Sequence, residues 1–105
     1  MAAGSVKISD LRPGMDHLRL RVKVTLLKGV RKVKTYTGLE HSLLEGDISD
    51  GEGTIGFVVW NEKIDLFSGV AVGDVVELTN AFVTSFRGIL QVNVGRDSDA
   101  TRVET

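Results

Sequence analysis

A run of alternating apolar and polar residues near the start of the chain places the strongest constraint on its fold. In the segment LRLRVKVTLL, residues 18–27, every second side chain is Leu or Val, and most of the others are Arg or Lys. A period of two puts the two sets on opposite faces of a β-strand. The segment therefore predicts a strand with one buried face and one basic face exposed to solvent.

Four further segments have strand-like sequences and are separated by turn signals. They are residues 40–49, 54–60 (TIGFVVW), 75–86 (VVELTNAFVTSF) and 89–94 (ILQVNV). The turns are Asp50-Gly51-Glu52-Gly53 and Arg87-Gly88. Residues 28–38 are interpreted as a basic loop or hairpin extension. Residues 61–72 are interpreted as a short helix or loop that covers one end of the sheet with Ile64, Leu66 and Phe67. After the last strand, residues 95–105 are interpreted as a frayed polar end.

The fourth of these strands contains an irregularity. Leu78 has the same parity as Phe82 and Phe86, so uninterrupted alternation would turn all three toward the core. A one-residue bulge at Asn80-Ala81 would reverse the facing of every residue after it. The bulge would place Val83 inside and the two phenylalanines outside, and it would bend the strand as a small barrel requires.

Five strands with one helical element after the third strand predict an all-β OB-fold, a Greek-key barrel. A five-stranded sandwich fragment or an SH3-like barrel is the alternative. The 105 residues are the length of one domain with a modest core, which we expect to run from about residue 6 to residue 95 within a single domain 1–105.

Composition excludes several classes of function. The chain has no cysteine and no apolar run of 18 residues, so disulfides, thiolate zinc sites and membrane spans are not expected. The two histidines, His17 and His41, lack a metal-ligand spacing, and no Ser/His/Asp arrangement is found. We therefore expect an intracellular protein that is not an enzyme and needs no metal or cofactor.

The formal net charge is −1, but the charges are segregated along the chain. Residues 1–34 carry +7, residues 35–80 carry −8, and the remainder is balanced. Such a distribution can place a positive strip on one face of a nearly neutral protein, which favours nucleic-acid binding. Ordinary solvated charges on strands are the alternative explanation.

Aromatic side chains on an exposed face bind bases without choosing among them, because every base has a π-face. The chain has six aromatic residues: Tyr36, Phe57, Trp60, Phe67, Phe82 and Phe86. The patterns place Phe57 and Phe67 in the core. Trp60 shares the parity of Gly56 and Val58, on the face opposite Phe57, so it is either a stacking platform or a cap on the end of the barrel. For Phe82 and Phe86 both core and platform remain open.

The order of these motifs resembles a known family. ISDLRPGM followed by LRLRVKV is similar to the opening of the archaeal and eukaryotic single-domain, replication protein A-like single-stranded DNA-binding proteins. GTIGFVVWNE is similar to their third strand, which ends in a tryptophan, and GDVVELTNAFVTSFRGILQVNVG resembles their fourth and fifth strands. The resemblance extends from about Val6 to Gly95.

The resemblance implies a set of DNA-binding residues. In that family a third-strand tryptophan and two fourth-strand aromatics stack on bases, a basic residue follows the second aromatic, and the loop after strand one touches DNA. Together with the basic face of strand one, the corresponding residues are Trp60, Phe82, Phe86, Arg87, Arg31, Val33, Lys34, Arg21 and Lys23. Phe82 replaces a larger aromatic, and Asn93 stands where some relatives have another, so modest affinity is expected.

These observations predict sequence-independent binding of single-stranded DNA in replication, recombination or repair. Two alternatives are a protein-interaction OB domain of a larger replication protein A-like assembly, docking through its acidic segment, and an RNA-binding OB domain. We expect a monomer whose partners are single-stranded DNA or RNA and replication or repair proteins, with no membrane contact. The compartment would be the cytoplasm in an archaeon and the nucleus in a eukaryote.

Overall fold

A computed structural model describes residues 7–103 of the chain. Val6, where the resemblance begins, and the side chain of Phe86 lie outside the described part. The strands are β1 (Leu18–Lys34), β2 (Glu40–Ser49), β3 (Thr54–Trp60), β4 (Val75–Phe86), β5 (Ile89–Val94) and β6 (Asp99–Val103), and the 3₁₀ helices are Ile8–Asp10 and Asn61–Phe67. No helix within residues 7–103 is long and apolar enough to cross a membrane.

Five of the strands close into a ring in the order β1-β2-β3-β5-β4, because β4 also pairs with β1. Only the β3–β5 pairing is parallel among the described strands. The first half of β1 pairs with β4 and the second half with β2. This closed sheet, with a 3₁₀ helix between β3 and β4, confirms the predicted OB-fold.

The change of partner along β1 requires the strand to bend. Its register with β2 shifts between Val24 and Leu26 and again between Leu27 and Gly29. Gly46 on β2 lies against this bend, and a Cβ added there would be only 2.1 Å from the carbonyl oxygen of Leu26. Glycine is therefore required where the two backbones approach most closely.

The alternation seen in the sequence lines the barrel core. Leu20, Val22 and Val24 on β1 are at most 2% exposed, and Val59 on β3 is fully buried. Phe57 and Phe67 are buried with their ring centroids 5.7 Å apart, which confirms the prediction that both belong to the core. The hydrophobic effect on these side chains stabilises the closed sheet.

The predicted bulge in β4 is confirmed. Leu18 pairs with Ala81 but Leu20 pairs with Leu78, so β4 has one extra residue in this interval, and Asn80 has a φ of +55°. Leu78 and Ala81, three residues apart, are both fully buried. An odd step between two inward residues requires the reversal of facing that the bulge supplies.

Two predictions about burial and strand content are wrong. Residues 95–105 do not form a frayed end throughout, because β6 pairs with β4 from Val75–Val103 to Thr79–Asp99 and buries Ala100. The first half of β4 offers a second edge that β6 occupies, and the polar segment DATRV shows no periodicity of its own. Leu66, predicted to cover the sheet, is 38% exposed. Val58 faces outward as predicted, although it is covered there and only 4% exposed.

Candidate nucleic-acid interface

The outward face of β3, β5 and β4 carries two of the predicted aromatic residues. Val58 on β3 pairs with Asn93 on β5, which pairs with Phe82 on β4, so these three side chains share one face. Trp60 lies two residues beyond Val58 and therefore faces the same way. Trp60 and Phe82 flank Asn93, and both aromatic residues are partly exposed.

Asn93 organises the centre of this face. Its side chain is polar yet the residue is only 3% exposed. Its Oδ1 accepts a hydrogen bond from the Trp60 Nε1–H at 3.0 Å, and its Nδ2 donates to the Thr84 Oγ1 at 2.9 Å. Nδ2 also approaches the carbonyl oxygens of Gln91 at 3.3 Å and Phe82 at 3.5 Å. The indole ring is thus held on the surface by its N–H.

A second contact supports the indole of Trp60 from β2. The His41 ring meets it edge-on, with centroids 5.8 Å apart and an interplanar angle of 82°. His41 Nδ1 lies 3.1 Å from Asn61 Nδ2, and the Oδ1 of Asn61 accepts a hydrogen bond from the Ser42 N–H at 3.0 Å. The indole of Trp60 is therefore supported by a ring contact and a hydrogen bond while the residue as a whole stays partly exposed.

The ring of Phe82 is positioned by a glycine. A Cβ placed on Gly95 would lie 3.0 Å from Cε1 and 3.3 Å from Cζ of Phe82. The ring therefore lies directly over the Gly95 backbone, and a larger residue at this position would push the ring away. The bulge at Asn80 sets the outward direction of Phe82, and Gly95 sets how closely its ring lies on the sheet.

An open groove of about 560 Å³ adjoins both aromatic residues. One wall is formed by residues 14–17 before β1 and the other by the loop 95–98 between β5 and β6. Within the first wall, Asp16 raises the pKa of His17, chiefly through a hydrogen bond of 2.9 Å and then through charge attraction. Neither wall was predicted from the sequence, because the loop was assigned to the frayed end and the lead-in contains no binding motif.

Two of the other predicted site residues lie on the same face as Trp60. Arg31 on β1 pairs with Leu43, which pairs in turn with Trp60, and Val33 pairs with His41. Arg31 forms an ion pair with Glu45, and the hydrogen bond to that carboxylate raises the pKa of the guanidinium. Among the predicted basic residues, Arg31 is the nearest to Trp60 in the strand pairing, and its charge is already paired with that of Glu45.

The remaining basic residues are distributed elsewhere. Lys34 pairs with Glu40, an odd number of residues from Arg31 with no register shift between them, so it faces the opposite side of the hairpin. Lys23 lies opposite Ser49, whose β3 partner Thr54 is six residues from Trp60, a distance of about 20 Å along the strand. The structure does not bring these two residues together with Trp60.

Arg21 and Arg87 complete the predicted set. Arg21 lies opposite Glu77 on β4. Arg87 occupies the turn between β4 and β5 with a φ of +53°, next to the backbone pair of Phe86 and Ile89. That turn is at the end of β5 away from Asn93.

The ring of five strands, with a short helix between β3 and β4, places the domain in the OB-fold class. The family model described as "Single-stranded DNA binding protein Ssb-like, OB fold" matches residues 11–102. The chain belongs to this family of OB-fold single-stranded DNA-binding proteins, which confirms the resemblance seen in the sequence. Members of this family are binding proteins rather than enzymes.

Individual relatives agree with this assignment. The chain is 27% identical over 89 residues to the single-stranded DNA binding protein Ssb of Saccharolobus solfataricus, covering 85% of this chain and 57% of that protein. It therefore spans somewhat more than half the length of that curated relative.

Two solved structures share the fold. One is a replication factor A related protein from Methanobacterium thermoautotrophicum, with a TM-score of 0.79 and 23% identity, covering 99% of this chain and 96% of that one. The other is the second OB-fold domain of replication protein A from Methanococcus maripaludis, with a TM-score of 0.77 and 23% identity, covering 96% of each chain.

Proposed function

We propose that this domain holds single-stranded DNA without reading most of its sequence, by stacking bases on Trp60 and Phe82. The observation that carries the proposal is the Trp60 indole, which is partly exposed yet held on the surface by its hydrogen bond to Asn93. A tryptophan that merely filled the core would be buried. A platform held before binding loses less conformational entropy when a base stacks on it.

Two further observations support the proposal. The chain belongs to a family described as single-stranded DNA-binding, and the Saccharolobus relative carries the same description. By that likeness, we propose a role in protecting exposed strands during replication, recombination or repair, with Phe86 as a third stacking residue.

The phosphates of the bound strand would be met by dispersed cations, of which Arg31 shares the face of Trp60. Arg31 lies beside the platform in register, and the proposed contacts at other places are Arg21, Lys23, Lys34 and Arg87. Because these residues are dispersed, we propose that only about 2–3 phosphates are neutralised at once. The logarithm of the affinity should then fall with the logarithm of salt concentration at about −0.7 per contact, a shallow slope.

The test is Trp60→Ala, measured by the anisotropy of labelled dT, rU and duplex oligonucleotides of equal length. The variant should bind single strands about 1–3 kcal/mol more weakly, the value of one stacked base. It should stay folded but lose about 1 kcal/mol of stability, because the buried Oδ1 of Asn93 loses its donor. Leu66→Ala, at an exposed position on the 3₁₀ helix that follows Trp60, is the control and should bind normally. Unchanged affinity in a folded Trp60→Ala domain would reject the platform.

The same titrations separate the alternatives. Equal affinity for rU and dT would extend the proposal to RNA, whereas weak binding of every oligonucleotide would favour a protein-interaction domain. A salt slope near zero would exclude phosphate contacts, and a slope several-fold steeper would require a basic surface not identified here.

A further inference from the structure

The groove beside the platform has an unusual backbone. Among the described residues, the non-glycine positions with positive φ are His17, Asn61, Asn80 and Arg87, and the first three of them line this groove. Positive φ is uncommon outside glycine, although asparagine and histidine tolerate it better than most residues. Such conformations concentrate at binding sites, where they direct side chains that a regular strand could not present.

Both walls of the groove are anchored to β4, next to its bulge. On one side, the Gly14 N–H donates to the Val83 carbonyl at 3.1 Å, and the Val83 N–H donates to the Met15 carbonyl at 2.8 Å. On the other side, the Ser98 hydroxyl donates to the Asn80 carbonyl at 2.7 Å. The Asn80 Nδ2 also donates to the Asp97 carbonyl at 2.9 Å. The groove is therefore formed before any ligand enters.

Three polar groups lining the groove have no partner within residues 7–103. They are the carboxylate of Asp97, the side-chain oxygen of Asn80 and the guanidinium of Arg96. The first two are hydrogen-bond acceptors, and Arg96 presents donors in a planar fork. The stacking of bases on Trp60 and Phe82 uses none of these groups.

We propose that this groove is a subsite that takes one base of the bound strand by its Watson–Crick edge and prefers guanine to thymine. Guanine presents two adjacent donors, N1–H and the N2 amino group, which match a carboxylate such as that of Asp97. Thymine presents a single N3–H between two carbonyl oxygens, and those oxygens repel the carboxylate. Arg96, which directly precedes Asp97 in the chain, would hold a phosphate beside that base.

This inference rests on the proposed function, since the base must belong to a strand stacked on Trp60 and Phe82. Trp60 and Phe82 stack on the π-face that every base has, so they do not distinguish one base from another. The groove adds selectivity at one position only. The domain would therefore bind all single strands and bind those with a suitably placed guanine more tightly.

The experiment compares short dT oligonucleotides, about six nucleotides long and so near the footprint of one OB domain. In one set a single thymine is replaced in turn at each position by guanine, and in a second set by hypoxanthine, which keeps N1–H but lacks the amino group. We expect one guanine position to tighten binding about fivefold to tenfold, as one or two net hydrogen bonds would give. Hypoxanthine there should give a smaller gain.

Asp97→Asn should abolish the preference for guanine while leaving the affinity for dT equal to or slightly above that of the wild type. Asp65→Asn is the matched control, because Asp65 is exposed on the second 3₁₀ helix and its carboxylate has no partner within the described chain. It makes the same change of charge and should retain the preference. Arg96→Gln should reduce the salt slope by about 0.7.

The outcomes separate the inference from the function on which it rests. Equal binding of guanine- and thymine-containing strands by the wild type, or a guanine preference that survives in Asp97→Asn, would overturn the subsite while the platform stands. Failure of every oligonucleotide to bind would overturn the proposed function itself.

Discussion

Replacing Asn93 with alanine tests the central claim about the interface, that a buried amide holds the stacking residue in place. The substitution removes the acceptor of the Trp60 Nε1–H and the donor to Thr84 Oγ1. It leaves the indole attached to the same backbone and in contact with the ring of His41. Stability and affinity should both fall, for different reasons.

The magnitude follows from the geometry. The hydrogen bonds at 2.9 and 3.0 Å are of ordinary length, whereas the contact at 3.5 Å to the Phe82 carbonyl is too long to contribute much. Two net hydrogen bonds correspond to about 1–3 kcal/mol of unfolding free energy. Immobilising the released Trp60 on binding should cost about 0.5–1.5 kcal/mol, or about a twofold to twelvefold loss of affinity.

Thr84→Val is the matched control for this substitution. It removes one partner of the Asn93 amide but leaves the bond from Trp60 intact, so it should cost about 1 kcal/mol of stability with little effect on affinity. Urea unfolding measures the stability, anisotropy of a labelled dT oligonucleotide measures binding, and near-ultraviolet circular dichroism reports the single tryptophan. Wild-type affinity and an unchanged tryptophan spectrum in Asn93→Ala would refute the reasoning.

Three further predictions follow from the described contacts. Val83→Asp should lower the free energy of unfolding, measured in urea, by about 3–5 kcal/mol, because it buries an unpaired charge. Val72→Asp is the control at a 57% exposed site and should have little effect. Equal losses of stability in the two variants would contradict the inward direction that the bulge gives Val83. Glu45→Gln should tighten DNA binding by about 0.2–1 kcal/mol by releasing Arg31, measured by anisotropy. Binding should strengthen as the pH falls through the raised pKa of His17, because imidazolium adds positive charge, and His17→Gln should remove that dependence.

Much of the barrel could be predicted from the sequence because its signals are local. Alternation and turn residues placed strands over 40–49, 54–60, 75–86 and 89–94, and the structure has the same bounds. The first strand was predicted to end at residue 27 but extends to Lys34, since the hairpin extension pairs with β2. The β4 bulge was also predictable, because Asn80-Ala81 interrupts the apolar run of the strand and because the resemblance places Phe82 on the binding face while Leu78 belongs to the core.

Strand parity gave Trp60 an outward direction, and the family resemblance favoured a stacking role for it, but neither indicated what holds the side chain there. Trp60 has outward parity on a short strand, a local property. Asn93, 33 residues further on, was read only as a missing aromatic. Its signal was a polar side chain that, like Gln91, interrupts the apolar strand ILQVNV, and its partner depends on the parallel pairing of β3 with β5.

The sequence by itself thus determined five of the six described strands, most of the core and the class of domain, because periodicity and turn chemistry act over a few residues. Only the tertiary structure decided the surroundings of the platform. The pairing of residues 29–34 with β2 made that segment a strand and so put Arg31 and Lys34 on opposite faces, and β6 anchored the loop that forms one wall of the groove. Register and edge pairing depend on residues far apart in the chain, so no local pattern specifies them.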